Sequence, residues 1–588
     1  MSAKHFINDP THLVLTALRS ITLTNPATAL DQDNKIVYRR PDSSYSSQVS
    51  IISGGGSGHE PSFAAFVGRG LLSGAVAGTI FASPSAEQIR RCILERVDPE
   101  KGVLVVVMNY TGDVLNFGMA VEKAKANGLD VEMVVVGDDA GVGREQGGKV
   151  GRRGIAGTVL VQKIAGALAA SGASLKEVHN VAQLTADNVV SIGSSLSHVH
   201  VPGRSDVETS DLAANEVEIG MGIHNEPGSE RSTGDLSAIV KQMLAHMLDP
   251  DDKDRAFLSV SKSDETVLLV NNLGGVSVLE MGGITSEVVD QLLSNYGIEP
   301  VRILSGTYMT SLNGLGFSIS LLKLTDLGLS SGKSMLELLD APAEATGWSA
   351  AINTKTWQNK GDVTQEQKES DGVEAKASNL TFDPALARSA LTNALNRLIS
   401  AESDITNYDT IVGDGDCGTG LRRGAESILS LFKESSSSSG DAAVFLDSII
   451  SVVEKSMDGT SGALYAIFLN ALAHGLRSQS GAQPEPATVK VWANALESAT
   501  NSLSKYTPAK RGDRTVVDAL SPFVDTLSKT GSVKGAAEAA GAGARSTKGM
   551  KASLGRTVYV GGEGWQSVPD PGAHGLAVFL IGLSDGLQ

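Results

Sequence analysis

Between Val49 and Leu339 short β-branched runs alternate with amphipathic stretches, and after about residue 380 the strand-like runs nearly vanish. "KGVLVVVMNYTG" (Lys101 to Gly112) and "DVEMVVVGDD" (Asp130 to Asp139) read as buried strands. The segment between them carries Phe117, Val121 and Ala124 at helical spacing. That is a βαβ unit, so the first half is expected to hold a mostly parallel sheet. "ETVLLVNNLGG", "EPVRILSGTYMTS" and "LGFSISLLKL" predict further strands and a mixed sheet toward the end of this half. The later stretches "DPALARSALTNALNRLISAE", "AAVFLDSIISVVEKSM", "GALYAIFLNALAHGL", "VKVWANALESATNSLSKY" and "TVVDALSPFVDTLSK" all show apolar positions at helical period. An all-helical bundle or barrel follows. Between the halves, "TQEQKESDGVEAKASN" is polar and aperiodic, which predicts a linker. The expected division is an α/β domain over 1–345, a linker over 346–379 and an all-α domain over 380–588. "SSSSSG" (Ser435 to Gly440) is expected to be a flexible loop.

Composition narrows the function classes. A chain of 588 residues exceeds one ordinary core, and 41% hydrophobic with 20% charged residues is the balance of a globular protein. The net charge of -17 argues against a nucleic-acid binder, which needs clustered Lys and Arg. Cys92 and Cys417 stand far apart, with no second thiol at metal-ligand spacing, which suits a reducing compartment. The start "MSAKHFINDP" has no secretory apolar run, no window of 18 apolar residues occurs, and the end "DGLQ" is no peroxisomal signal. A cytoplasmic protein without membrane or nucleic-acid partners is expected.

Three loops of the first half carry candidate chemistry. "VSIISGGGSGHEP" (Val49 to Pro61) ends an apolar strand in glycines, bringing bare backbone near a small polar ligand and setting His59 beside it. Asp113 in "MNYTGDVLNF" follows a buried strand, at the end where open α/β sheets bind ligands. "EIGMGIHNEPGSER" (Glu218 to Arg231) sets His224 in a turn-rich loop. Singly, such a histidine is more often structural; three loops of one character favour a site.

In the helical half, "NYDTIVGDGDCGTG" places Asp409, Asp414 and Asp416 among four glycines. If the Gly-Asp-Gly-Asp segment is extended, Asp414 and Asp416 point the same way, and a turn could bring Asp409 beside them. Three carboxylates repel unless a divalent cation neutralises them, and oxygen-only ligands favour Mg2+, Mn2+ or Ca2+. The plainer reading is turn and helix-cap residues. "MDGTSGALY" (Met457 to Tyr465) and "GGEGWQSVPDPGAHGL" (Gly561 to Leu576) are glycine-rich turns opening into helices, whose free amides suit phosphates. "GREQGGKV" lacks the P-loop hydroxyl at Val150, and "GLSSGKS" has its first glycine one residue too close. A nucleotide would bind some other way.

Taken together, "GGGSGHEP", "NYTGD", "GRRGIAGTVLVQKIAGA", "SLSHVHVPG", "EIGMGIHNEPG", "VGDGDCGTG", "GTSGALY", "GDRTVVDAL" and "DPGA" resemble the ATP-dependent dihydroxyacetone kinases of the single-chain, two-domain type, over nearly the whole chain. The resemblance implies an α/β substrate domain in two parts and a helical barrel holding ATP and Mg2+. It implies that His224 captures a triose ketone as a hemiaminal, that Asp113 is the base and that His59 bonds the substrate, with Gly56, Ser57 and Gly58 lining it. It implies Mg2+ on Asp409, Asp414 and Asp416. Nucleotide contacts are implied at Asp416, Cys417, Gly418, Thr419, Thr460, Ser461, Arg514, Thr515, Arg556, Asp570, Pro571 and Gly572. A homodimer is implied as well. One position departs: the family carries Lys directly before "NYTGD", where this chain has Met108. Losing a charged hydrogen bond there is worth roughly 1.5 to 3 kcal/mol. The competing expectations are a lyase forming cyclic FMN from FAD with Mn2+, and a non-catalytic sensor of the same ligand.

Overall fold

The computed structural model describes residues 5–42, 46–204, 212–359, 361, 376–434, 439–554, 556–559 and 563–588. The chain divides into two compact units, Met1–Gln365 and Glu366–Gln588. The dividing point lies inside the stretch expected to be a linker. The beginning of that stretch belongs to the first unit, because Trp348 packs edge-on against Phe66 and Tyr308 with ring centroids 6.0 and 5.2 Å apart. Residues 360 and 362–375, the remainder of "TQEQKESDGVEAKASN" up to Ala375, lie outside the described residues, as do 435–438 of "SSSSSG".

The first unit is built on two six-stranded sheets. In the first, β1 (Thr28–Asp31), β2 (Ile36–Arg39), β3 (Ser50–Ser57), β4 (Gly74–Ile80), β5 (Val103–Met108) and β6 (Val131–Val136) lie in the order β1-β2-β4-β3-β5-β6. β3, β4, β5 and β6 run parallel; the continuous apolar run of β5 is buried along its length, and the serine- and glycine-rich β3 is buried at all but one position, as strands covered on both faces must be. The crossover from β5 to β6 is helix α1 (Thr111–Ala126), which buries Phe117, Val121 and Ala124, the positions its spacing predicted.

The second sheet is mixed, as expected for the end of this half. β7 (Val189–Ser195), β8 (Glu216–Ile219), β9 (Glu230–Thr233), β10 (Thr266–Asn272), β11 (Arg302–Gly306) and β12 (Gly316–Lys323) lie in the order β11-β10-β12-β7-β8-β9. Only β10 and β11 pair in parallel. The loop from β8 to β9 joins neighbouring antiparallel strands directly, so no helical crossover is needed there. Helix α2 (Thr158–Ala170) is buried on nearly every side and contributes to the apolar cluster that also takes residues from both sheets; Gln162 spends its amide on Ser53 Oγ at 2.9 Å.

The second unit has nine long helices among its described residues: α3 (Pro384–Ser400), α4 (Glu402–Val412), α5 (Cys417–Glu434), α6 (Ala442–Ser456), α7 (Gly459–Arg477), α8 (Val489–Leu503), α9 (Val517–Thr530), α10 (Val533–Ser546) and α11 (Pro571–Gly586). Eight of them pack successively, α3 on α5 and then in chain order to α11, which returns to α3. This closed ring is the expected helical barrel. α4 stands outside the ring order, packed on α5 and α11, and supplies one wall of the acidic corner described below.

Candidate active site

Three loops of the first unit converge. His59 follows β3, Asp113 sits in the first turn of α1 after β5, and His224 follows β8. A fourth loop, between β11 and β12, closes the group. The His59 ring is fully buried; its Nδ1–H donates to the carbonyl of Thr310 at 2.8 Å, and its Nε2 lies 3.0 Å from His224 Nε2. His224 Nδ1 is 2.9 Å from Glu226 Oε1, and Glu226 Oε2 accepts the His224 backbone N–H at 2.9 Å. The His224 ring is fenced by aromatic edges: Phe81 at 5.2 Å, Tyr110 at 4.7 Å and His59 itself at 4.7 Å between centroids. Asn225, at φ 65, exchanges two 2.9 Å bonds with the backbone of Val199, tying this loop to "SHVHVPG".

Electrostatics follow from burial. Desolvation, reinforced by the charge of His224, lowers the His59 pKa from 6.5 to about 3, so His59 is a neutral ring at ordinary pH. Burial raises Asp113 above the usual carboxylate range, while a bond from Ser83 and the charge of His224 oppose it. Asp113 Oδ1 is buried without a hydrogen-bond partner, an acceptor left open toward the site. For Glu226 burial pulls upward, but its bonds to His224 win and hold it at about 2.

The glycine loop does what bare backbone does. Gly58 sits at φ 108, and a Cβ there would come within 2.8 Å of the Phe81 ring. Ser57 bonds the Gly78 carbonyl and Gly56 lies against Ala82, so Gly56 and Ser57 are held by the strand β4 and its exit. Met108 lies at the carboxyl end of β5, 1% exposed, in the apolar cluster that includes Ile155 and Ala156. Sequence reasoning missed Glu226, Thr310, Tyr110 and Phe81. Glu226 and Tyr110 were inside quoted motifs, whereas nothing in "TYMTS" marks a carbonyl that orients a distant ring.

The second unit gathers its own cluster. One carboxylate oxygen each of Asp409, Asp414 and Asp416 lie within 4.8 Å of one another. The segment joining them is an irregular corner between α4 and α5, and it brings Asp409 beside the other two. Asp409 sits in the last turn of α4, Gly415 turns at φ 81, and Asp409 Oδ2 accepts the Cys417 N–H at 3.0 Å. Three acidic oxygens at this spacing fit a divalent hard cation and no soft one. Cys417, Gly418 and Thr419 form the first turn of α5, and Thr460 and Ser461 that of α7; Cys417 Sγ and Ser461 Oγ are 3.8 Å apart.

Asp570 caps α11, accepting the Ala573 N–H at 2.7 Å, with Pro571 and Gly572 in the first turn. Burial, with Asp409 and Asp518 adding negative charge, raises its pKa to about 7. Arg514 is 2% exposed and gives its guanidinium to the carbonyls of Met550 and Val568 at 2.8 and 2.9 Å. It thereby fixes the backbone leading into Asp570. Thr515 donates its N–H to Asp518 at 2.9 Å. Arg556 begins a short turn, Arg556–Tyr559, and its side chain lies outside the described residues.

The Dak1 domain matches residues 19–347 and the DAK2 domain matches residues 411–585. The chain is 45% identical to dihydroxyacetone kinase 1 of Saccharomyces cerevisiae, with 100% of both chains covered. The chain belongs to the dihydroxyacetone kinase family. It is also 36% identical to the human triokinase/FMN cyclase over 100% of both chains. Among solved structures, the dihydroxyacetone kinase from C. freundii in complex with AMP-PNP and Mg2+ matches with TM-score 0.63 and 30% identity, covering 99% of this chain and 100% of that one. The two matched domains fall one in each compact unit, so the histidine cluster lies in the Dak1 part and most of the helical ring in the DAK2 part.

Proposed function

We propose that this protein is an ATP-dependent kinase that phosphorylates dihydroxyacetone, and D-glyceraldehyde as a second acceptor, with the carbonyl held on His224 as a hemiaminal. The observation that carries the reading is the 3.0 Å approach of His59 and His224 in a loop cluster that also holds Asp113. A neutral imidazole nitrogen adds to a ketone, and glycerol offers no carbonyl to add to. Three aromatic edges close in on the His224 ring, which suits a short carbonyl compound over a long one. Asp113, with a raised pKa and an open oxygen, suits a base for the hydroxyl that attacks the γ-phosphate.

In the second unit, Asp409, Asp414 and Asp416 would hold Mg2+, which when bound neutralises phosphate oxygens. The first turns of α5, α7 and α11 would present their amides to the nucleotide, through Cys417 to Thr419, Thr460 and Ser461, and Pro571 and Gly572. Arg514 serves by holding that frame. Phosphoryl transfer asks little more of a protein than position and charge. We propose a cytoplasmic protein, in keeping with its cysteine usage, and, following the family resemblance, a homodimer.

Purified protein with dihydroxyacetone and MgATP, coupled to a triose-phosphate reductase, is expected to turn over, and to stop when Asp416 is changed to Ala. Absence of turnover with the intact chain would overturn the reading. The 36% identity to a triokinase/FMN cyclase supports a second activity, release of cyclic FMN from FAD with Mn2+. It is checked by chromatography of FAD incubations and is expected to be lost in the same Asp416→Ala variant.

A further inference from the structure

The hydrogen-bonding partners of the two rings dictate where their protons sit. The Thr310 carbonyl can only accept, so His59 carries a proton on Nδ1. Glu226 is ionised and can also only accept, so His224 carries a proton on Nδ1. Each ring therefore turns Nε2 toward the other at 3.0 Å. Two lone pairs at that distance repel, whereas one proton between them makes a bond. When a proton is taken up between them the pair holds three protons and one positive charge, and that charge faces the carboxylate of Glu226.

We propose that Glu226 is the positioning residue of the substrate-capturing ring: it pins the His224 proton on Nδ1, frees Nε2 to attack, and offsets the charge the ring bears once bonded to the substrate. The inference deepens the hemiaminal reading and rests on it. The step balances without a further reactant. As His224 Nε2 forms the C–N bond, the carbonyl π pair moves to oxygen, and the proton between the rings passes through His59 Nε2 to that oxygen as the new hydroxyl. His59 ends neutral, with its remaining proton on Nδ1. His224 ends as an imidazolium substituted on Nε2, its Nδ1–H still donated to Glu226. One positive charge exists before and after.

The carboxylate is built into the loop. Glu226 folds back so closely that a Cβ on Gly222 would stand 2.1 Å from its Oε2. Arg153, whose guanidinium is paired to Asp139 at 2.7 Å, borders the same glycine and interacts favourably with the charge of Glu226. Glu226 also holds the loop as backbone, through its Oε2 on the His224 N–H and its carbonyl on the Gly222 N–H at 3.0 Å.

Glu226→Gln separates the two roles. An amide oxygen can keep the bond from the His224 N–H, but its NH2 then faces Nδ1 and forces the ring proton to Nε2, the wrong tautomer for attack. With dihydroxyacetone labelled with 13C at the carbonyl, the wild-type chain is expected to show a tetrahedral carbon by NMR. The Glu226→Gln chain should show only free substrate, a kcat lower by roughly a hundredfold or more, and an unchanged KM for ATP. Capture and turnover by Glu226→Gln within about threefold of wild type would overturn the inference. So would 15N-histidine spectra of the unliganded wild type that place the neutral His224 proton on Nε2 with Nδ1 bare, whatever the variant's folding. If the wild type itself yields no tetrahedral carbon, the covalent reading fails and this inference with it, while a failure confined to Glu226→Gln behaving as wild type leaves covalent capture standing.

Discussion

At His59 burial decides the charge. Its folded pKa lies near 3 and its ordinary value is 6.5, so between them the unfolded chain holds a proton that the folded chain does not. Stability of the first unit is therefore full above 6.5 and falls as pH drops toward 3. Glu226 adds a second loss between 4.5 and about 2, because its carboxylate is held ionised by His224. Thermal unfolding followed from pH 8 to pH 3 should show the midpoint of the first unit declining from about pH 6.5 downward. The part of that decline above 4.5 should flatten in a His59→Asn variant. For the second unit, Asp409 belongs to both structure and chemistry, since it accepts the Cys417 N–H as well as lying among the three acids. Asp409→Ala should therefore lower stability by about 1 to 3 kcal/mol in denaturant melts and abolish turnover, whereas the exposed Asp416→Ala should abolish turnover at nearly unchanged stability. The three acids singled out from the sequence do come together. What it could not name was Thr310, because a backbone carbonyl has the same chemistry at every residue and only its place beside His59 gives it a role.

Elements were legible where one periodicity ran uninterrupted. β5, α1 and β6 stand where their apolar spacing put them, since strands buried on both faces and amphipathic helices leave unmistakable patterns. The corner between α4 and α5 was legible only as a possibility: a turn bringing Asp409 beside the other acids was foreseen, but not that Gly415 would make it at φ 81. Glycines signal freedom without stating which conformation uses it. Gly415→Ala should cost about 1 to 2 kcal/mol, since a Cβ is disfavoured at that angle. Calorimetric titration with Mg2+ should report weaker binding than wild type, because the turn sets the spacing of the acids. The second sheet was half legible: its mixed character and the strands β10, β11 and β12 were seen, whereas β7, β8 and β9 were not, since two of them are only four residues long and carry no clear apolar alternation.

The whole molecule is two compact units on one chain, and each candidate site is built from its own unit. Ligands should then stabilise the units separately. Dihydroxyacetone at a hundredfold excess over its Kd should stabilise the first unit by about 2.7 kcal/mol, and MgATP the second by a similar amount. Hydrogen exchange resolved by peptide would read this as slowed exchange in β3, β5 and β8 for the triose and in α4, α5 and α11 for the nucleotide. Equal protection of both units by either ligand alone would contradict separate sites. The sequence by itself determined the class of each half, the acidic triplet, and the two histidines with their neighbouring aspartate, because hydrophobic period and residue chemistry are properties of short segments. The tertiary structure alone decided that the two imidazole rings meet Nε2 to Nε2, that Thr310 and Glu226 orient them, and that Arg514 is spent on backbone carbonyls. Those are contacts across 165, 251 and 54 residues of chain, or within a folded loop, and such distances close only when the sheets and the helical ring have packed.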